Sequence, residues 1–278
     1  MKIFLVLFLF IPSLFAQKKV LTIPYGNNPK VGKYAPIRGF KMYYEIYGKG
    51  EPLLIIHGNG GSIENFSNQI PFFSKKYQVI LADSRAHGKS VDDQDSLSYE
   101  MMADDFAALL DHLKIDSAHV IGWSDGGING LLLASRHPEK VKKLAATGAN
   151  LIPDAGIAID PWIVSDVKHT IDSLNKLPNN LAVRRSLKLQ HLLYEQPHIG
   201  HEVLRKIQCP TLVIGGDNDV ILPKHTLEIA ENIPKAYLWI LPNSGHSTLI
   251  YYKDLFNLTV QDFFQKPFRK FEKADKFR

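Results

Sequence analysis

A serine between glycines stands where one hydrophobic pattern gives way to another. The sequence G-W-S-D-G at residues 122–126 follows a short apolar run, 117–121, and precedes a longer one, 128–136. The first run is typical of a buried strand and the second of a buried helix. A tight strand-to-helix turn exposes its serine at the carboxyl edge of a parallel sheet, and the flanking glycines let the backbones approach closely. This pattern predicts that Ser124 is a nucleophile.

A serine nucleophile needs a base and an acid that orients the base. His246 is the predicted base, because it lies on the loop that follows the apolar run 237–241. Two carboxylates, Asp217 and Asp219, follow the apolar run 211–214. Asp219 is the predicted acid because it lies deeper in its loop, whereas Asp217 is interpreted as a turn or capping residue.

A glycine-rich turn, H-G-N-G-G at residues 57–61, follows the strand pattern that ends at Ile56. It predicts an oxyanion hole formed by the backbone N–H groups of Asn59 and Asp125. A phosphate-binding loop is disfavoured, because the turn has neither the G-x-x-x-x-G-K-[ST] nor the G-x-G-x-x-G spacing.

These pieces occur in the order turn, serine, acid, histidine, and the chain resembles the α/β-hydrolase superfamily over about residues 40 to 264. Residues 83–90 are similar to that superfamily's D-x-R-G-x-G-x-S turn, with Ala86 in place of a glycine, a change expected to matter little. The segments G-W-S-D-G-G at 122–127 and G-A-N at 148–150 resemble the valacyclovir-hydrolase-like (biphenyl-hydrolase-like) serine esterases. The resemblance implies ester hydrolysis through an acyl-enzyme, without a cofactor.

The resemblance also bears on the substrate. Similarity to amino-acid-ester hydrolases suggests that Asp125 pairs with a substrate ammonium group, although a bond to nearby backbone or to a cap residue would explain it equally well. Trp123 is also expected to contact the substrate. The leading hypothesis is a hydrolase for a small carboxylic ester, including an amino-acid ester or a lactone. C–C bond hydrolases, enol-lactonases, perhydrolases and non-catalytic binding proteins of the same fold stay open as alternatives.

Strand and helix patterns alternate along the chain, which predicts an α/β fold with a mainly parallel, doubly wound sheet. Buried strands are predicted at 52–56, 79–82, 120–121, 144–147, 211–214 and 237–241, and helices at 98–113, 223–232 and 254–264. The alternating segment 41–47 predicts a half-exposed strand, and residues 17–38 an irregular segment. The predicted hydrolase core comprises 39–148 and 207–265, and residues 149–206, with four prolines, are predicted to form a helical cap. Trp162 and Tyr194 are candidates for the cap's pocket lining.

Composition excludes several classes of function. The 278 residues are 45% hydrophobic and 22% charged, with a formal charge of +5. The basic residues are scattered, so a nucleic-acid partner has no support. Cys209 is the only cysteine, which excludes an internal disulfide. Of the cap histidines 191, 198 and 201, two flank a Pro/Gly turn, so no metal site is predicted.

The N-terminus resembles an export signal. Lys2 precedes an apolar stretch of about 13 residues, well short of the roughly 20 that span a bilayer. Cleavage after Ala16 is therefore predicted, leaving a periplasmic or extracellular protein without stable membrane insertion. The basic tail, residues 266–278, is interpreted as a solvated end.

Overall fold

The computed structural model describes residues 23–94, 96–270 and 275. The predicted signal peptide, residues 1–16, lies outside these residues, as do residues 271–274 and 276–278 of the basic tail. Within the described ranges no helix has both the length and the apolar character that crossing a membrane requires.

The described residues contain a single eight-stranded sheet, with the strand order β1-β2-β4-β3-β5-β6-β7-β8. The strands are β1 (Lys33–Ile37), β2 (Phe40–Tyr47), β3 (Glu51–Ile56), β4 (Tyr77–Ala82), β5 (Ala118–Trp123), β6 (Val141–Thr147), β7 (Thr211–Gly216) and β8 (Ala236–Leu241). Strand β2 pairs antiparallel with β1 and β4, and the remaining pairs are parallel. The carboxyl ends of β3, β5, β6, β7 and β8 therefore meet at one edge. The predicted α/β fold with a mainly parallel, doubly wound sheet is confirmed.

Helices cover both faces of this sheet. They are α1 (Ile70–Phe73), α2 (Tyr99–His112), α3 (Asp125–Arg136), α4 (Pro161–Leu174), α5 (Leu181–Glu195), α6 (His201–Leu204), α7 (Pro223–Glu231), α8 (Thr248–Tyr251) and α9 (Lys253–Gln265). Successive strand residues alternate between the two cores: Leu54 packs on the side of α2 and α3, and Leu53 on the side of α1 and α9. Two-sided burial explains why the central strands are continuous apolar runs rather than alternating ones.

The cap segment between β6 and β7 contains α4, α5 and α6, consistent with the two or three helical pieces expected from its length. Two side chains in the described residues show how the helices begin: Asp160 accepts a hydrogen bond from the N–H of Trp162, and Asn180 accepts one from that of Val183. These N-caps satisfy amide groups that the first turn of a helix leaves without partners.

Three sequence-based expectations are wrong. Residues Lys33–Ile37, predicted to be irregular, form β1. Strand β2, predicted to be half-exposed, is covered on both faces: Glu45 is fully buried and accepts hydrogen bonds from the amides of Gly26 and Asn28 in the loop before β1. Strand β8, predicted to be buried, is the edge strand of the described sheet, and most of its side chains are only half-buried.

The turn at residues 83–90 has a conformational requirement that its sequence did not reveal. Ala86 has a φ of 65°, in the left-handed region where a Cβ atom is unfavourable. The alanine in place of glycine therefore carries backbone strain, contrary to the expectation that the change matters little. The turn keeps its ion pair, in which Arg85, fully buried, donates two hydrogen bonds to Asp105.

Candidate active site

Ser124 lies on a strained turn between β5 and α3. Its φ of 57° and ψ of −120° are unusual for a residue with a side chain, and its N–H donates to the Thr147 carbonyl at 2.8 Å. The turn is possible because Gly126 packs directly on β3: a Cβ atom there would lie 2.0 Å from the Ile56 oxygen. Among the described residues the Ser124 hydroxyl has no hydrogen-bond partner, as is common when the tight catalytic contact forms only with substrate.

His246 and Asp219 meet across the ends of β8 and β7. His246 Nδ1 lies 2.7 Å from Asp219 Oδ1, and this carboxylate also accepts the Ile221 N–H at 3.0 Å. The Asp219 side chain is fully buried. Because the carboxylate can only accept, Nδ1 carries the proton and Nε2 is the ring nitrogen left to take another.

Further contacts hold the histidine loop. Trp123 Nε1 donates to the His246 carbonyl at 3.0 Å, which ties this loop to the residue before Ser124. Gly148, with a φ of 63°, makes room for the ring: a Cβ atom there would lie 2.7 Å from its Cε1. Asp217, the rejected alternative acid, does not reach the ring; its exposed carboxylate accepts the N–H groups of Asn243 and Ser244. Those bonds lower the pKa of Asp217.

The glycine-rich turn is held from below by His57. Its Nε2 accepts the Ser84 N–H at 2.9 Å, so Nδ1 carries the proton and donates to the Gly58 carbonyl at 2.8 Å. The ring is buried, and this burial lowers the pKa of His57 to about 4. A neutral histidine thus fixes the turn that carries the Asn59 N–H.

Asp125 combines its place beside Ser124 with a buried carboxylate. Its Oδ2 accepts a hydrogen bond from Asn59 Nδ2 at 2.9 Å. Burial raises the pKa of Asp125 to about 6, and the Asn59 amide opposes this rise. The buried Tyr99 hydroxyl is close enough for Asp125 to raise its pKa, although it lacks the geometry of a hydrogen bond. The side-chain bond to Asn59 was missed at the sequence level, because the two residues are 66 positions apart.

A cavity of about 340 Å³ joins these groups. Asn59, Trp123, Ser124, Asp125 and His246 line it, and Asp219 contacts His246 without lining the cavity. The apolar part of the lining comes from the cap and the loop after β7. Its residues are Ile159, Ile163, Leu193, Val220 and Ile221.

The two candidates for the cap's pocket lining are wrong. Trp162 is 59% exposed and Tyr194 is 37% exposed, and neither lines the cavity. Their sequence neighbours Ile163 and Leu193 line it instead, because a shift of one residue turns a helical side chain by about 100°. The sequence analysis did not identify two polar lining residues, Asn65 and Asn150. Both follow strands whose carboxyl ends are at this edge, but no motif in their loops indicated a role in the site.

The cap histidines and Cys209 have structural roles. His191 pairs with Glu195, and His201 with Glu228. In the described part of the chain no three His, Cys, Asp or Glu side chains are grouped to hold a metal. Cys209 is buried, which raises the pKa of its thiol to about 11, unsuitable for a nucleophile.

Comparisons with known proteins agree with this geometry. Residues 51–170 match the sequence family described as alpha/beta hydrolase fold. The chain is 28% identical over 261 residues to the human serine hydrolase BPHL, covering 87% of this chain and 88% of that protein. It is 26% identical to the 2-hydroxy-6-oxo-6-phenylhexa-2,4-dienoate hydrolase of Burkholderia cepacia, covering 82% and 92% of the two chains.

Among solved structures, the enol-lactonase of Burkholderia xenovorans LB400 superimposes with a TM-score of 0.70 at 22% identity, over 84% of this chain and all of that one. This likeness shows the fold. The fold is that of the α/β hydrolases, and the family match and the relatives support a hydrolase of the α/β-hydrolase superfamily.

Proposed function

We propose that this chain is a serine hydrolase for small carboxylic esters, and that Ser124, His246 and Asp219 are its catalytic triad. The observation that carries the proposal is the contact of 2.7 Å between His246 Nδ1 and Asp219 Oδ1, behind a cavity that both Ser124 and His246 line. This contact and the shared cavity support the roles of Ser124 as nucleophile, His246 as base and Asp219 as buried acid.

The mechanism follows from these positions. His246 Nε2 takes the proton of Ser124 as its oxygen attacks the ester carbonyl, and the buried Asp219 stabilises the imidazolium. The N–H groups of Asn59 and Asp125 donate to the oxyanion, then the tetrahedral intermediate collapses. The alcohol leaves with the proton from His246, and an acyl-serine remains. Water, deprotonated by His246, hydrolyses this acyl-enzyme to the acid and restores Ser124.

The cavity supports a substrate with one charged and one apolar part. Asp125 faces it as a buried carboxylate that is mostly ionised above pH 6, and the cap contributes isoleucine and leucine side chains. A buried carboxylate gains most from a cation that replaces its lost hydration. We therefore place the ammonium group of an amino-acid ester next to Asp125 and the ester's apolar group against the cap.

The test is a panel of substrates assayed with the wild-type protein and Ser124→Ala in parallel. Short-chain p-nitrophenyl esters, aminoacyl esters, a lactone and a 2-hydroxy-6-oxo-dienoate distinguish ester, amino-acid-ester, lactone and C–C bond hydrolysis. We expect ester turnover that disappears in Ser124→Ala, and labelling of the wild-type protein alone by a fluorophosphonate. Ester turnover that survives in Ser124→Ala, or a wild-type protein that neither turns over esters nor reacts with the probe, would refute the proposal.

We also propose that the chain is exported, on the support of its N-terminal sequence alone. N-terminal sequencing of protein recovered outside the cytoplasm is expected to start at Gln17 if cleavage follows Ala16. An intact N-terminus on cytoplasmic protein would contradict this proposal.

A further inference from the structure

The side chain of Asn59 makes contacts that the oxyanion role of its backbone does not require. Its Nδ2 donates to Asp125 Oδ2 at 2.9 Å and to the Leu189 carbonyl at 3.2 Å. Leu189 belongs to the cap helix α5, and Asp125 directly follows Ser124. A single amide group therefore connects the cap to the nucleophile turn.

This amide is the main polar support of Asp125. The carboxylate belongs to a residue that is only 1% exposed, and the described residues contain no lysine or arginine paired with it. The other titratable groups that face it are Tyr99 of α2 and His246 of the loop after β8. Asn59 is the one described side chain with hydrogen-bond geometry to this carboxylate, and it opposes the rise in the pKa of Asp125 more than Tyr99 does, so the orientation and charge of the carboxylate depend strongly on this amide.

We propose that the Asn59 side chain is a specificity-determining positioning residue: it holds the Asp125 carboxylate toward the ammonium group of an amino-acid ester and links this arrangement to the seating of α5. The inference rests on the proposed function and deepens it. Both N–H bonds of the amide are in use, so a displacement of α5 disturbs the same group that orients Asp125. Neutral esters do not need Asp125 in this way.

The chain provides a matched control for the cap contact. Lys188, the neighbour of Leu189 on α5, donates its Nζ to the carbonyl oxygens of Asp92 and Gln94. This second contact between cap and core ends in the loop before α2 and does not reach the nucleophile turn. Lys188→Met therefore loosens α5 without removing a donor from Asp125.

The experiment compares kcat/KM for alanine benzyl ester and for p-nitrophenyl acetate. It uses the wild-type protein, Asn59→Ala, Lys188→Met, Asp125→Asn and the double variant of Asn59 and Asp125. Asn59→Ala keeps the backbone N–H but removes a hydrogen bond to a charged group, so we expect a loss of about 10- to 100-fold with the aminoacyl ester. The loss with the neutral ester is expected to be smaller.

Two further readouts separate positioning from general loosening. The acid limb of kcat/KM for the aminoacyl ester is expected to move to higher pH in Asn59→Ala, because the carboxylate loses a donor that favours its charged form. In the Asp125→Asn background, Asn59→Ala is expected to lower kcat/KM equally for the aminoacyl ester and the neutral ester. Lys188→Met is expected to change kcat/KM for the two esters by the same factor. Thermal melting checks that each variant is folded.

Several results would overturn the inference. One is an equal loss for both esters in Asn59→Ala; another is the same discrimination in Lys188→Met or in the Asp125→Asn background. If Asp125→Asn itself leaves the aminoacyl ester unaffected, the ammonium site and this inference both fail. The proposed serine hydrolase would then still stand on neutral-ester turnover that requires Ser124, so the two failures are distinguishable.

Discussion

Acid should destabilise this protein through His57, the neutral histidine that holds the glycine-rich turn at residues 57–61. Its Nε2 must stay unprotonated to accept the Ser84 N–H, and its buried ring has no carboxylate partner among the described residues. In the unfolded chain the same ring takes up a proton near pH 6.5. Acidification therefore favours the unfolded state, and His57→Gln, which retains an acceptor but cannot titrate, removes this effect.

The size of the effect follows from the two pKa values. The folded pKa of His57 is lowered to about 4. Stability is therefore fully present above about pH 6.5 and is lost by about 1.4 kcal/mol per pH unit as the pH falls toward 4. At pH 4.5 the loss from this one side chain is about 2.7 kcal/mol, a large share of the 5–15 kcal/mol typical of a folded domain.

The assay is urea unfolding of the wild-type protein and His57→Gln at intervals from pH 7 to pH 4.5. The neighbouring His87, whose ring centroid lies 5.1 Å away, titrates in both proteins, as does Asp125 with its opposite sign. Their contributions largely cancel in the difference between the two proteins. We expect the wild-type advantage in free energy of unfolding to shrink by about 2–3 kcal/mol across this range. A difference that stays constant within about 0.5 kcal/mol would refute the reasoning.

Three further predictions concern single side chains. Asp219→Asn should lower kcat by about three to four orders of magnitude, whereas Asp217→Asn, at a surface carboxylate, should lower it by less than about tenfold; steady-state kinetics that reverse this order would exchange the two roles. Ala86→Gly should raise the free energy of unfolding by up to about 1 kcal/mol in urea titrations, because glycine relieves the left-handed strain, and a loss of stability would argue against that strain. Glu45→Gln should lower it by about 2–3 kcal/mol, because the carboxylate accepts four hydrogen bonds and an amide group can accept fewer; an unchanged unfolding midpoint would contradict the burial of this carboxylate.

Local sequence patterns correctly predicted those structural features that depend on residues close together in the chain. Helix α2 begins one residue after the predicted start, with Ser98 as its N-cap. The nucleophile turn of Ser124 also lies where the change of pattern predicted it. Burial at the rims of the sheet could not be predicted in this way. Glu45 alternates like an outward residue, and only the loop that folds over it decides that it is buried.

Sequence by itself determined the order of strands and helices, the identity of the candidate nucleophile, base and acid, and the edge of the sheet where they meet. These depend on hydrophobic periodicity and on short turns, which act over a few residues. Tertiary structure alone decided that the amide of Asn59 reaches both Asp125 and Leu189, that Trp123 holds the His246 loop, and which cap side chains face the cavity. Contacts of this kind join residues 66 to 130 positions apart, so they exist only once the chain has folded and the sheet has brought its loops together.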